Sequence, residues 1–159
     1  MTSETPNFGL LLSPVLSRVD ATARPRFLAL LERTAADRYR QWAIAFPSGE
    51  NVLMECAARE DEIADVIEAA FPIDEEKLAE LIALLPAARD IYYAAFDGFT
   101  VLEQIEMQSD AELQGASAWR SIASGATDAS VLAALARCSA LEETSSRAAK
   151  TFLESTLTH

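Results

Sequence analysis

Four glutamates occupy positions where a helix usually carries apolar residues. Glu32, Glu60, Glu112 and Glu142 each lie on or beside the apolar stripe of a different predicted helix. An ionised carboxylate is costly to bury unless it pairs with a cation or binds a metal. One such residue would be unremarkable, but four at matching positions indicate a shared polar site inside the protein.

The sequence alone is compatible with three arrangements of these glutamates. They could bind metal ions. They could instead be buried without metal, neutralised by raised pKa values or paired with arginines. In the third arrangement the helices are rotated and the carboxylates are partly solvated. Helical spacing gives four nearest candidate counter-ions: Arg40, Arg59, Arg120 and Arg137.

Apolar residues at three- and four-residue steps predict the helices that would position these side chains. The four main helices are predicted at 22–45, 50–70, 99–123 and 128–156. Residues 1–21 are predicted as an irregular lead-in with room for a short helix at 8–18. The segment between the second and third main helices is predicted to hold a helix at 74–85, which Pro86 interrupts. No linker divides residues 22–159, so we expect one domain.

The two predicted helix pairs resemble each other. An offset of 80 residues aligns 32–43 with 112–123, and an offset of 82 aligns 53–61 with 135–143. The alignment matches four chemically distinctive pairs: Glu32 with Glu112, Tyr39 with Trp119, Cys56 with Cys138, and Glu60 with Glu142. Chance similarity between alanine-rich amphipathic helices is the alternative. The register of the two cysteines favours a true internal repeat.

The pattern resembles the ferritin-like di-iron carboxylate proteins, which supply one glutamate from each of two helices and a Glu-x-x-His pair from each of two others. Glu32 and Glu112 match the single glutamates, whereas Glu60 and Glu142 match the glutamates of the pairs. The resemblance covers roughly residues 22–156. It implies a site for iron or manganese, with aromatic residues such as Tyr39 beside the ligands.

The histidines of that pattern are missing. Ile63 and Ser145 occupy the two positions, three residues after the paired glutamates, where the family has histidine. Isoleucine cannot bind a metal, and serine is a poor ligand for Fe²⁺ or Mn²⁺. An ordinary di-iron centre is therefore not expected.

Other chemically capable residues allow more than one interpretation each. Cys56 and Cys138 lie one helical turn before Glu60 and Glu142, where they could meet, act as soft ligands or simply be buried. Tyr39 and Trp119 would lie beside the glutamates in the resemblance, or belong to the core. A further aromatic group could be core packing or an exposed surface for a partner: Tyr92, Tyr93 and Phe96.

Composition narrows the possible functions. The net charge of −12 argues against nucleic acids and anionic membrane surfaces as partners. The apolar runs are too short for a membrane span, and the first residues lack the basic segment of a signal peptide, so we expect a cytoplasmic protein. The one histidine, His159, is the last residue, which argues against histidine chemistry in the core.

Together these observations predict an all-α fold: a ferritin-like four-helix bundle of two repeated hairpins joined by a long, partly helical crossover. The first functional hypothesis is a non-catalytic binding or structural protein that has lost di-iron chemistry and acts through its surface, as a homodimer or with a protein partner. The second is a dinuclear iron or manganese protein, ligated by carboxylates alone, with oxidoreductase or oxygen-handling activity.

Overall fold

The computed structural model describes residues 4–158, and all regular structure within that range is helical. The predicted all-α class is confirmed. Two short 3₁₀ turns, Ala21–Ala23 and Pro47–Gly49, flank the second helix. The six helices are α1 (Phe8–Leu16), α2 (Arg24–Ala45), α3 (Glu50–Ala70), α4 (Glu75–Ala94), α5 (Val101–Ser124) and α6 (Ala129–Leu157). None of the helices in the described range is long and apolar enough to cross a membrane. His159 lies outside the described residues.

The four long helices pack as two hairpins. Helix α2 packs along α3, and α5 packs along α6. Helices α3 and α6 pack against each other between the hairpins, whereas α2 and α5 make only limited contact. Helix α4 connects the hairpins and packs on α1 and α2. This arrangement leaves a gap between α2 and α5.

Polar side chains cap the helices that follow the connections. The Asp74 carboxylate accepts a hydrogen bond from the Lys77 backbone N–H at the start of α4. Thr100 and Glu103 form a reciprocal capping box at the start of α5, and Asp128 caps α6. Each cap satisfies backbone N–H groups that have no partner within the helix, so each fixes where its helix begins.

Helix α4 does not break at Pro86, so the predicted interruption is wrong. The helix continues from Glu75 to Ala94 with Pro86 in its interior. Proline cannot donate the backbone hydrogen bond that the carbonyl of Ile82 would otherwise accept. Ile82 and Pro86 are both exposed, so water can replace that bond.

The predicted lead-in contains helix α1, and this helix belongs to the core. Phe8, Leu12 and Val15 are buried in the same hydrophobic cluster as residues of α2 and α5. The Phe8 N–H donates to Gln114 Oε1 at 2.9 Å, and Gln114 Nε2 donates to the carbonyl of Pro6 at 2.9 Å. Helix α1 is therefore fastened to α5 and lies over the gap between α2 and α5.

The aromatic residues of α4 pack inside the protein. Tyr92 and Phe96 are buried, with ring centroids 5.1 Å apart, and both contact Phe8. Tyr93 is partly buried, and the guanidinium of Arg38 lies 5.0 Å from its ring centroid. Core packing is thus confirmed for this group, and the alternative of an exposed aromatic surface is wrong.

Gly49 provides a test of how tightly the α2–α3 turn packs on α6. A Cβ atom at this position would lie 2.6 Å from Cζ of Phe152, whose ring also packs edge-on against Phe46. We expect Gly49→Ala to lower the free energy of unfolding by about 1–3 kcal/mol, measured by urea denaturation, because overpacking forces the ring to move. Gly125→Ala is the matched control, since its Cβ would meet nothing closer than 3.8 Å. Equal effects of the two changes would contradict the prediction.

Candidate functional site

The four glutamates come together between the hairpins. Glu32 on α2, Glu60 on α3 and Glu142 on α6 each place a carboxylate oxygen within 4.8 Å of the other two. Glu112 on α5 lies within hydrogen-bonding reach of Glu142. Every long helix therefore contributes one carboxyl group to a single cluster, which we call the glutamate cluster.

Three of these side chains are almost completely shielded from solvent. Glu60 is 0% exposed, and Glu112 and Glu142 are each 1% exposed. Glu32 is partly exposed because it lines a cavity between α2 and α5. The glutamate cluster is thus closed on three sides and accessible from the side of Glu32.

Glu112 is held by a chain of neutral hydrogen-bond donors. Its Oε1 accepts from the Tyr39 hydroxyl at 2.9 Å and from Gln108 Nε2 at 2.6 Å. Gln108 is itself oriented by the Tyr92 hydroxyl, which donates to its Oε1 at 2.6 Å. Burial raises the pKa of both tyrosines well above the ordinary value, with Glu112 adding to the effect. Both hydroxyls therefore remain protonated and can donate.

Glu142 is fixed by an indole and a glycine. Trp119 Nε1 donates to Glu142 Oε1 at 3.1 Å. Gly115, also on α5, lies directly against this carboxylate, and a Cβ at position 115 would come within 2.9 Å of Glu142 Cδ. The missing side chain of Gly115 is therefore what allows α6 to bring its glutamate against α5.

Glu60 has no such support. Both of its carboxylate oxygens are buried, and neither has a hydrogen-bond partner among the described residues. A buried carboxylate without partners is unusual, because losing its hydration costs several kcal/mol. The Glu32 carboxyl group lies close enough to share a proton or a cation with it, and the charges of Glu112 and Glu142 also act on it.

The candidate arginines do not neutralise the glutamate cluster, so that version of the metal-free arrangement is wrong. Arg40, Arg120 and Arg137 instead bind acids nearer the surface, because a long side chain can carry its charge outward. Arg59 instead donates to the buried Ser145 hydroxyl and Cys56 sulfur. The observed partners are Asp61 and Asp37 for Arg40, Ser145 for Arg59, Glu143 for Arg120 and Glu62 for Arg137.

Burial and mutual repulsion make the glutamate cluster retain protons. Burial raises the pKa of Glu60 and Glu142 well above the ordinary value, and the neighbouring carboxylates raise both further. Burial also raises the pKa of Glu32, although its close contacts with the carboxyl groups of Glu60 and Glu142 oppose the shift. Without a bound cation, Glu32, Glu60 and Glu142 therefore keep their protons to a higher pH than exposed glutamates do.

The two cysteines lie beside the cluster as buried thiols. Cys56 donates weakly to the carbonyl of Ser145, and Cys138 donates to the carbonyl of Ile63, each with a sulfur–oxygen distance of 3.9 Å. Burial raises the pKa of Cys138 to about 12 and also raises that of Cys56. The potential ligands that the described structure brings within 4.8 Å of one another are Glu32, Glu60 and Glu142, so neither sulfur belongs to that donor set.

The positions that the resemblance assigns to histidine are occupied by packing residues. The Ile63 side chain is fully buried in the hydrophobic cluster shared by α3 and α6. The Ser145 hydroxyl accepts a hydrogen bond from Arg59 Nε at 2.8 Å. All groups available to the cluster's interior are therefore carboxylate oxygens and the neutral donors around them.

A cavity of about 590 Å³ reaches the glutamate cluster from outside. It lies between α2 and α5, is covered by α1, and includes Glu32 in its lining. Most of the other lining residues are apolar. The cavity gives small molecules or ions a route to the one glutamate that is partly exposed.

Three important residues of the site do not stand out in the sequence. Gln108 and Gly115 lie on the stripe of α5, and the spacing of Gln108 four residues before Glu112 could have indicated contact. Tyr92 comes from the crossover, where no local pattern links it to the glutamates. Its role depends on how α4 packs across the gap.

Comparisons with known proteins give no relative: no family model, no curated protein and no solved structure matches the chain. The role of the site is therefore inferred from its own geometry.

The raised pKa values of Glu32, Glu60 and Glu142 predict how the free energy of unfolding depends on pH. A carboxyl group whose pKa is higher in the folded than in the unfolded state makes the folded state bind more protons. The free energy of unfolding of the metal-free protein should thus fall as the pH rises from about 5.5 to 8, by up to about 1.4 kcal/mol per pH unit for each proton retained. Urea denaturation in the presence of a chelator measures it.

The variant Glu60→Gln tests whether the glutamate cluster causes this pH dependence. The neutral amide removes one proton site, so the variant should be more stable than wild type at pH 8 and show a shallower pH dependence. Glu55→Gln, at an exposed position of the same helix, is the matched control and should follow wild type. A wild-type protein that becomes more stable between these pH values would contradict the assignment.

Proposed function

We propose that the glutamate cluster binds a divalent transition-metal ion through carboxylates alone. Glu60 carries this proposal, because both of its buried oxygens lack a partner and point to no cation of the described protein. A metal ion would remove the cost of that burial and draw together the oxygens of Glu32 and Glu142, which lie within 4.8 Å.

The donor set favours a hard cation. Carboxylate oxygens suit manganese, magnesium and calcium, whereas the imidazoles missing at positions 63 and 145 would favour iron or zinc. Manganese is therefore the preferred ion, with iron as the second. A redox-active ion would supply the oxidoreductase or oxygen-handling chemistry that the resemblance implies.

Each residue has a defined part in the proposed centre. Glu32, Glu60 and Glu142 would hold the ion, and Glu112 lies within hydrogen-bonding reach of Glu142. Tyr39 and Trp119 donate to Glu112 and Glu142. Such second-layer hydrogen bonds fix the orientation of metal-binding carboxylates and tune their basicity.

The proposal includes a ferritin-like scaffold built from two copies of one hairpin. The reciprocal contacts of the two thiols support it, since Cys56 on α3 reaches Ser145 on α6 and Cys138 on α6 reaches Ile63 on α3. The 82-residue offset aligns Cys56 with Cys138 and Ile63 with Ser145, so it converts one of these two contacts into the other. The ion pair of Arg40 with Asp61 in the first hairpin corresponds to that of Arg120 with Glu143 in the second. The 80-residue offset aligns the two arginines, and the 82-residue offset aligns the two acids.

A second candidate is a metal-free binding or structural protein on the same scaffold. It is favoured by Ile63 and Ser145 in place of the histidines, and by the neutral donors that already satisfy Glu112 and Glu142. In that case the glutamate cluster keeps its protons, and the protein acts through its surface with a partner or a second copy of itself.

Metal binding separates the two candidates. Chelator-treated protein is titrated with Mn²⁺ and with Fe²⁺ under anaerobic conditions, by calorimetry and by thermal unfolding. We expect Mn²⁺ to raise the melting temperature in proportion to its affinity, since an ion that binds only the folded state stabilises it. Glu60→Gln should abolish most of this gain, and Glu55→Gln should retain it.

The metal content of protein purified without chelator completes the test. Less than about a tenth of an equivalent of manganese or iron, with no stabilisation when either metal is added, would eliminate the metal centre and leave the second candidate. A metal-dependent gain that Glu60→Gln preserves would place the ion outside the glutamate cluster.

A further inference from the structure

The cavity between α2 and α5 has the size and lining of a small-molecule site. Its volume of about 590 Å³ falls within the range of about 300–1,000 Å³ that is typical of such sites. Helix α1 covers it and is fastened by hydrogen bonds between Gln114 and the backbone of Pro6 and Phe8. The cavity is thus part of the folded structure.

Apolar side chains from three helices form most of its wall. Leu12 and Leu16 come from α1, Leu28 and Leu31 from α2, and Ala118 from α5. A ligand that fills this space must have an apolar body, since a polar one would lose its hydration without gaining partners.

Most polar groups of the lining already have a partner: Asn7 accepts a hydrogen bond from the Leu10 N–H, and Ser117 is an exposed hydroxyl. Gln108 and Tyr92 are hydrogen-bonded to each other, and Gln114 is bonded to the backbone around α1. Glu32 is the carboxylate of this lining, which contains no lysine, arginine or histidine among the described residues. Three further carboxyl groups lie directly behind Glu32.

This electrostatic arrangement selects the charge of the ligand. An anion would enter a low-dielectric space against the carboxylates with no basic group to receive it, whereas a cation would be attracted. We propose that the cavity binds a primary amine with an apolar body, its ammonium group donating to Glu32 and its hydrocarbon part packed between Leu12, Leu31 and Ala118.

The amine site does not depend on the metal centre, but the two share Glu32. A metal ion would neutralise part of the charge that attracts the ammonium group. Bound metal should therefore weaken amine binding, and bound amine should weaken metal binding by the same factor, as thermodynamic linkage requires.

Three eight-carbon probes test the proposal by calorimetry on the chelator-treated protein: octylamine, octanol and octanoate. We expect octylamine to bind at least about tenfold more tightly than octanoate, with octanol between them. Octanol or octanoate binding as tightly as octylamine would overturn the charge selection. No heat and no thermal stabilisation with millimolar octylamine would overturn the site.

Variants locate the binding. Glu32→Gln should weaken octylamine about tenfold and change octanol less than about twofold. Ala118→Leu should weaken both by filling the cavity, whereas Ala123→Leu, on the same helix but outside the lining, should weaken neither. Octylamine affinity unchanged in both Glu32→Gln and Ala118→Leu would overturn the assignment. These amine-binding results do not require Mn²⁺ to bind, so the amine site and the metal centre can be disproved independently of each other.

Discussion

The structure depends on one constraint: four carboxyl groups share an interior, and no arginine or lysine of the described residues forms an ion pair with them. Each of α2, α3, α5 and α6 must present its glutamate to the same place, which fixes the rotation of every long helix about its axis. Small residues make the approach possible, as Gly115 does by leaving room for Glu142. Negative charge cannot persist there unaided, so the folded protein must bind protons or cations. Any function of this site begins with that requirement.

The hydrogen bonds around the glutamate cluster are unevenly distributed. Glu112 and Glu142 receive neutral donors from Tyr39, Gln108 and Trp119, whereas Glu60 receives none. Glu32 faces the cavity. One side of the cluster is therefore held rigidly by the protein, and the other side has free acceptor capacity next to a route from solvent. A preorganised ligand set combines groups that hydrogen bonds hold in place with acceptors that remain available to an ion.

The sequence predicts the parts of this architecture that depend on local pattern. Periodicity locates the four long helices within a few residues, and the position of each glutamate on its stripe predicts that it points inward. Local sequence pattern fails to predict the features that depend on contacts between distant parts of the chain. Arginines such as Arg40 share the helical faces of the glutamates, but their length lets them reach surface acids instead. Pro86 predicts a break in α4, but the helix continues through it. Because Ile82 and Pro86 are exposed, water can bind the carbonyl that has lost its partner. Helix α1 was too short to predict as part of the core, and Tyr92 reaches Gln108 only because α4 crosses the gap.

Ile63 and Ser145, at the two positions where the resemblance expects histidine, are part of the packing around the glutamate cluster. Ile63 fills part of the hydrophobic cluster between α3 and α6, and its carbonyl accepts the Cys138 thiol. Ser145 accepts Arg59 through its hydroxyl and Cys56 through its carbonyl. An imidazole at either position would have to displace a buried neighbour or break the Arg59 contact. The surrounding residues are adapted to an interior of oxygen donors alone, and oxygen donors select between protons and hard cations by their charge and spacing rather than by ligand softness. That selection distinguishes the two candidate functions, because they differ only in which positive charge the carboxylates hold.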